Sequence, residues 1–186
     1  SAAAAATQPT EAFGAMTAAA AKDDLPAFDA ATRELAKERP ASAVPHALRA
    51  GILVRKGETT AARAAALEAA SRAEGDPSAR AEALHWAFIA EYQLGRPPDV
   101  TLPLTEQQVR AAKLGGGEPM IVRAVYDRAC ARALSGDAEG AVSDLREALT
   151  LETLLGRREY HAIAAKEPDF ASLRGRPDFE DALKTP

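Results

Sequence analysis

Residues Val122–Leu151 read VRAVYDRACARALSGDAEGAVSDLREALTL, and this stretch decides the fold. Its first half has no proline, and Val122, Val125, Ala129, Ala133 and Leu134 recur at three-to-four spacing, as on one helix face. Gly136 can take the positive backbone torsion that ends a helix. Asp137 can then accept from the free amides of the next helix. Ala141, Val142, Leu145, Ala148 and Leu149 resume the helical spacing. Ala129, Ala141 and Ala148 fall where the two helices must touch, and their small side chains let the axes approach closely. The stretch predicts two short helices joined by a tight turn at Ser135-Gly136-Asp137. One such pair cannot bury its apolar face alone, so it requires stacked neighbours.

Those neighbours lie upstream, as weaker copies. Residues 1–9 read as an irregular lead, and Thr10 as the N-cap of a helix from Glu11 to about Ala21. Asp23-Asp24 mark a turn, and a second helix runs from Pro26 to about Glu38, with Phe28, Ala31, Leu35 and Ala36 as its apolar stripe and Pro40 as its stop. Pro45 opens a helix to Lys56, Gly57-Glu58 make the turn, and Thr59–Ala73 form an alanine-rich return. Ser78 is the expected cap of a helix over Ala79–Leu94, closed by Gly95. The steps Asp23 to Gly57, Gly57 to Gly95 and Gly95 to Gly136 are 34, 38 and 41 residues. The extra residues are Arg96–Val100 and Gly115–Pro119, expected as linkers around a shorter helix from about Leu104 to Leu114. After Leu151 the pattern changes. One helix is expected over Leu154–Lys166, followed by two Pro-Asp-Phe motifs at 168–170 and 177–179. Each proline can start a short helix, and each phenylalanine can plug the open end of the stack, which would otherwise expose apolar surface.

Composition agrees. The chain has 186 residues, enough for a domain with a real core. Alanine supplies about a quarter of it, favouring helix, while the aromatic share is 5%. The net charge of -4 is mild and interspersed, with no basic stripe for nucleic acid. Cys130 is the one cysteine, so neither an intramolecular disulfide nor a cysteine-based zinc site can form. No apolar run approaches the roughly 20 residues of a membrane span. Ser1 followed by five alanines is compatible with the tail left by a cleaved export signal and equally with an artificial start bearing a vector-derived serine. Cytoplasm and periplasm both stay open.

The chain resembles bacterial tetratricopeptide repeat (TPR) proteins. The resemblance is carried by Tyr126–Asp137, YDRACARALSGD, and by Glu167–Phe179, EPDFASLRGRPDF. It extends by spacing and small residues over nearly the whole chain from Thr10. Arg128 and Arg132 stand where this repeat is usually apolar, and Trp86 is not at the family's usual tryptophan position. The resemblance implies an all-α, TPR-like superhelix of stacked antiparallel hairpins: about four units over 10–153 and capping helices over 154–186. It implies a concave groove lined by the first helix of each unit. Groove places map to Phe13, Thr17 and Ala20; to Ala47, Gly51 and Val54; to Glu82, His85, Ile89 and Tyr92; and to Arg123, Tyr126, Cys130 and Ala133.

Such a groove would suit an extended or helical peptide, because aromatic side chains give contact area at little entropy cost. The expected function is a non-catalytic scaffold that binds a protein or peptide partner, with no cofactor and no nucleic acid; a homo-oligomer is compatible. Two alternatives stand beside it: a regulatory or sensory arm of a larger signalling protein, and a small-molecule-binding helical domain using His85, Trp86 and Tyr92. His46, His85 and His161 lack neighbours at metal-ligand spacing, and Cys130 sits among alanines as a packed or groove-lining thiol. Arg128 and Arg132 lie one turn apart. They either pair with Asp144, Glu147 or a neighbouring unit's acid, or project into the groove and clasp a partner's carboxylates.

Overall fold

A computed structural model describes residues 11–22, 24–39 and 42–185, with the side chains of Ala20 and Ala21 excepted. Thr10, Asp23, Pro40 and the side chain of Ala20 therefore lie outside the described residues. Among the described residues every regular element is helical: α1 Glu11–Ala21, α2 Leu25–Glu38, α3 Val44–Arg55, α4 Thr59–Arg72, α5 Pro77–Gln93, α6 Pro98–Gly115, α7 Gly117–Ser135, α8 Ala138–Leu154, α9 Glu159–Ala164, a 3-10 turn Pro168–Leu173, and α10 Pro177–Ala182. Each of the first eight helices packs on the next in chain order. Among these eight, α3 also lies against α5 and α5 against α7. The 3-10 turn packs on α7, while α9 and α10 pack on α8.

The Val122–Leu151 pair forms as its residues dictate. Gly136 has φ +86 and closes α7, and the Asp137 carboxylate accepts from the Gly140 amide to start α8. Ala129, Ala141 and Ala148 are fully buried between them, with Val125, Leu145 and Leu149 around them. Leu134, expected on the same face, is exposed instead. Gly57 and Gly95 also take positive φ, at the ends of α3 and α5. The same device thus recurs at three turns.

Four boundaries differ from expectation, each for a local reason. Asp76, not Ser78, caps α5 by accepting from Ala79 N, since Pro77 already occupies the first turn. The shorter helix from Leu104 instead begins at Pro98 and absorbs Pro103. Packed between α5 and α7, it buries Thr101, Thr105, Gln108 and Ala112, and that burial outweighs the missing amide of Pro103. The triple glycine is not a linker: α6 runs through Gly115 and α7 starts at Gly117, whose φ of +65 makes the corner in place. The helix expected over Leu154–Lys166 is cut to Glu159–Ala164, because Gly156 at φ +69 ends the preceding helix first. Glu152 then caps α9 from outside it, accepting from the amides of Tyr160 (2.7 Å) and His161 (3.1 Å).

Both Pro-Asp-Phe motifs start short helices, as anticipated. Phe170 and Phe179 are fully buried, their rings 5.8 Å apart, in the largest core cluster beside Leu145 and Leu149.

Candidate functional site

Three clefts run along the side of the molecule formed by α3, α5 and α7. The first, about 320 Å³, lies between Val44, Ala47 and Leu48 of α3 and Ala79 and Glu82 of α5. The second, about 400 Å³, is lined by Glu82, Met120, Val122 and Arg123 and by Glu152, Arg157 and Tyr160. The third, about 360 Å³, is bounded by His85, Ile89 and Tyr92 of α5, Tyr126 and Cys130 of α7, and Glu167 and Asp169 of the C-terminal segment. Glu82 and Met120 belong to the first two, Arg123 and Tyr160 to the last two, so the clefts join end to end.

The spacing of α5 and α7 sets this wall. His85, Ile89 and Tyr92 repeat at four and three residues on α5; Arg123, Tyr126 and Cys130 repeat at three and four on α7. Six of the expected groove residues, namely those two sets, therefore meet in one cleft. Phe13 is exposed on α1 and lines none of the three clefts. Thr17 turns its hydroxyl back onto the carbonyls of Phe13 and Gly14. Gly51 is covered by the Trp86 ring, and Trp86 thereby leaves the cleft that His85 and Tyr92 share.

Exposure divides the six. Tyr92 is 41% exposed, whereas Tyr126 and Cys130 are 4% and 5% exposed. The C-terminal segment lies over the latter two. Tyr126 packs against Tyr160 at 4.4 Å and Phe170 at 5.7 Å between ring centroids. Tyr92 donates to Asp169 Oδ1 at 2.7 Å, tying α5 to the tail across 77 residues of sequence.

Polar geometry fixes the wall. His85 Nδ1 is 2.7 Å from Asp127 Oδ2, and Gln108 Nε2 donates to the same oxygen at 2.8 Å, so one carboxylate joins α5, α6 and α7. Glu82 accepts from the Trp86 indole at 2.8 Å and from the Arg123 guanidinium. The hydrogen bond to Asp169, and then burial, pushes the Tyr92 hydroxyl up to about 12. Burial pushes Tyr126, Tyr160 and Cys130 up as well. The Cys130 thiol therefore stays protonated, which disfavours attack by it.

Arg128 and Arg132 do not line the clefts. Arg128 forks onto Asp144 with two bonds of 2.7 Å, and Arg132 reaches the same carboxylate at 2.9 Å. They neutralise a buried acid of α8, and the intrachain pair is what the geometry contains.

Spacing did not reveal Asp127, Tyr160, Glu167 or Asp169 as cleft residues. Asp127 carried a signal, lying one residue beyond Tyr126 and one turn before Cys130. The other three reach the cleft only because the tail folds back onto α7. No protein-family model matches the sequence, and no curated protein matches it either.

Proposed function

We propose that the helices stack as a tetratricopeptide-type superhelix, and that the protein is a non-catalytic adaptor holding a peptide or protein segment in the groove along α3, α5 and α7. The observation that carries this reading is the continuity of the three clefts. A segment laid along them would touch the first helix of three successive pairs in turn. The packing of α3 on α5 and α5 on α7, skipping the helices between, supports the stack. So does the positive-φ glycine at three equivalent turns. Tyr92, half-exposed and fixed by Asp169, offers a rigid aromatic contact. The protonated state of Cys130 supports binding rather than covalent chemistry there.

Site-specific photo-cross-linking tests it. A benzoylphenylalanine replacing Tyr92 or Met120 should cross-link a discrete partner in native cell extract. The same group replacing the exposed Ser71 of α4 or Ser143 of α8 should not. Equal cross-linking from both sets would reject the groove. Tyr92→Ala is the appropriate loss-of-binding variant. Tyr126→Ala would remove a buried ring, at a cost of about 3–5 kcal/mol, and would confound binding with folding.

A further inference from the structure

The third cleft holds negative charge that the chain itself does not balance. Glu167 and Asp169 both face it, two residues apart. Among the described residues neither carboxylate forms an ion pair with a lysine or arginine; Arg174 donates to the Glu167 backbone carbonyl at 3.0 Å, not to its side chain. A third acid, Asp127, is shared between His85 and Gln108. The arginine that lines the cleft, Arg123, is engaged by Glu82. Burial and the neighbouring Asp169 push the Glu167 carboxyl up, as expected of a carboxylate without a counter-charge.

Four aromatic side chains also line it, Phe88, Tyr92, Tyr126 and Tyr160, beside His85, Ile89 and Cys130. Tyr126 supplies a second, independent observation at the cleft. It is 96% buried, and its hydroxyl meets no partner at hydrogen-bond geometry, although it lies near enough to Glu167 to favour that group's charged form. Carboxylates beside aromatic faces attract an organic cation by ion pairing and by the ring quadrupole together. Among the described residues no three His, Cys, Asp or Glu side chains converge as a metal-binding set. The cleft, about 360 Å³, has room for a long side chain and opens into the rest of the track through Arg123 and Tyr160.

We propose that this cleft is a subsite for a basic side chain, lysine or arginine, of the segment bound in the groove. The inference rests on the groove reading and adds the chemical class of the residue it selects. The cation would sit between Glu167 and Asp169, with its aliphatic stem along the half-exposed Tyr92.

The test uses the full chain labelled with ¹⁵N and three small probes: Nα-acetyl-lysine methylamide, Nα-acetyl-arginine methylamide, and the neutral Nε-acetylated lysine derivative. At least one charged probe should produce saturable amide shifts confined to Asp127, Cys130, Glu167, Asp169 and Phe170. The neutral probe should bind at least tenfold more weakly. The double variant Glu167→Gln and Asp169→Asn keeps side-chain shape and an acceptor for Tyr92, and should lose at least tenfold in affinity for the charged probes. Equal binding of charged and neutral lysine would overturn the proposal, as would undiminished binding to the double variant. The first comparison is made in the wild-type chain, so it stands whatever the variant's stability. The groove and the subsite fail separately. Cross-linking from Ser71 and Ser143 as strong as from the cleft would remove the groove; loss of charge discrimination with cleft-specific cross-linking intact would remove only the cation subsite.

Discussion

At the scale of single residues, buried acids join the helices of this alanine-rich chain. Asp29 of α2 meets Lys56 at the end of α3 at 2.7 Å, and Glu91 of α5 meets Arg63 of α4. Asp127 joins α5, α6 and α7, Asp144 holds two arginines of α7, and Glu152 holds His161. Alanine faces allow close approach but offer little shape to resist sliding. A buried carboxylate with a specific donor supplies that resistance, because losing the donor leaves an uncompensated charge. Asp29 makes the effect measurable. Its hydrogen bond to Arg33, opposed by burial and aided by Lys56, lowers its carboxyl to about 2. The folded value lies below the unfolded one, so this stability is fully present above about pH 4 and is lost as pH falls toward 2. Urea unfolding of wild type and Asp29→Asn at pH 7, 4 and 2.5 should show wild type ahead at pH 7 and the gap closing as pH drops. A gap independent of pH would mean the carboxylate's charge is not what stabilises the fold.

Among the helices, one small residue decides how closely two neighbours lie. Gly51 of α3 faces the Trp86 ring of α5, and a Cβ built there would stand 2.7 Å from the ring carbons. The indole cannot retreat freely, because its Nε1 donates to Glu82 and its edge meets His85 at 4.7 Å. Gly51→Ala should therefore destabilise, despite alanine's better helix propensity, by about 1–3 kcal/mol. Thermal unfolding measures it, and a neutral or stabilising result would show that the two helices can separate at little cost. Element boundaries were legible where a backbone requirement marked them: Gly57, Gly95 and Gly136 all end helices as expected. They were not legible at Pro98–Pro103 or at the triple glycine. There burial of α6 between its neighbours decided where the helix runs, and breaker residues were overridden.

For the whole molecule, the C-terminal segment both packs onto α7 and α8 and completes the candidate site. Phe170 and Phe179 enter the core around α7 and α8, while Glu167 and Asp169 face the cleft from the same short stretch. Removing residues 167–186 should uncover Tyr126 and Cys130. The Cys130 thiol, buried in the full chain, should then react with a disulfide reagent at a rate at least tenfold higher. Circular dichroism would report whether the upstream helices persist. Phe170→Ala should act in the same direction more mildly. A thiol equally protected after truncation would show that α7 is covered by something other than the tail.

The sequence by itself determined helix and turn, because these rest on local rules: three-to-four apolar spacing, glycine's access to positive φ, and alanine at crossing points. The resemblance to tetratricopeptide proteins implied His85, Ile89, Tyr92, Arg123, Tyr126 and Cys130 as groove places, and all six line one cleft of the structure. Only the tertiary structure decided that Tyr126 and Cys130 are covered, that Arg128 and Arg132 are spent on Asp144, and that Glu167 and Asp169 supply the opposite wall. Each of these depends on which distant segment a side chain meets. That meeting is set by the packing of the assembled helices, which no residue spacing encodes.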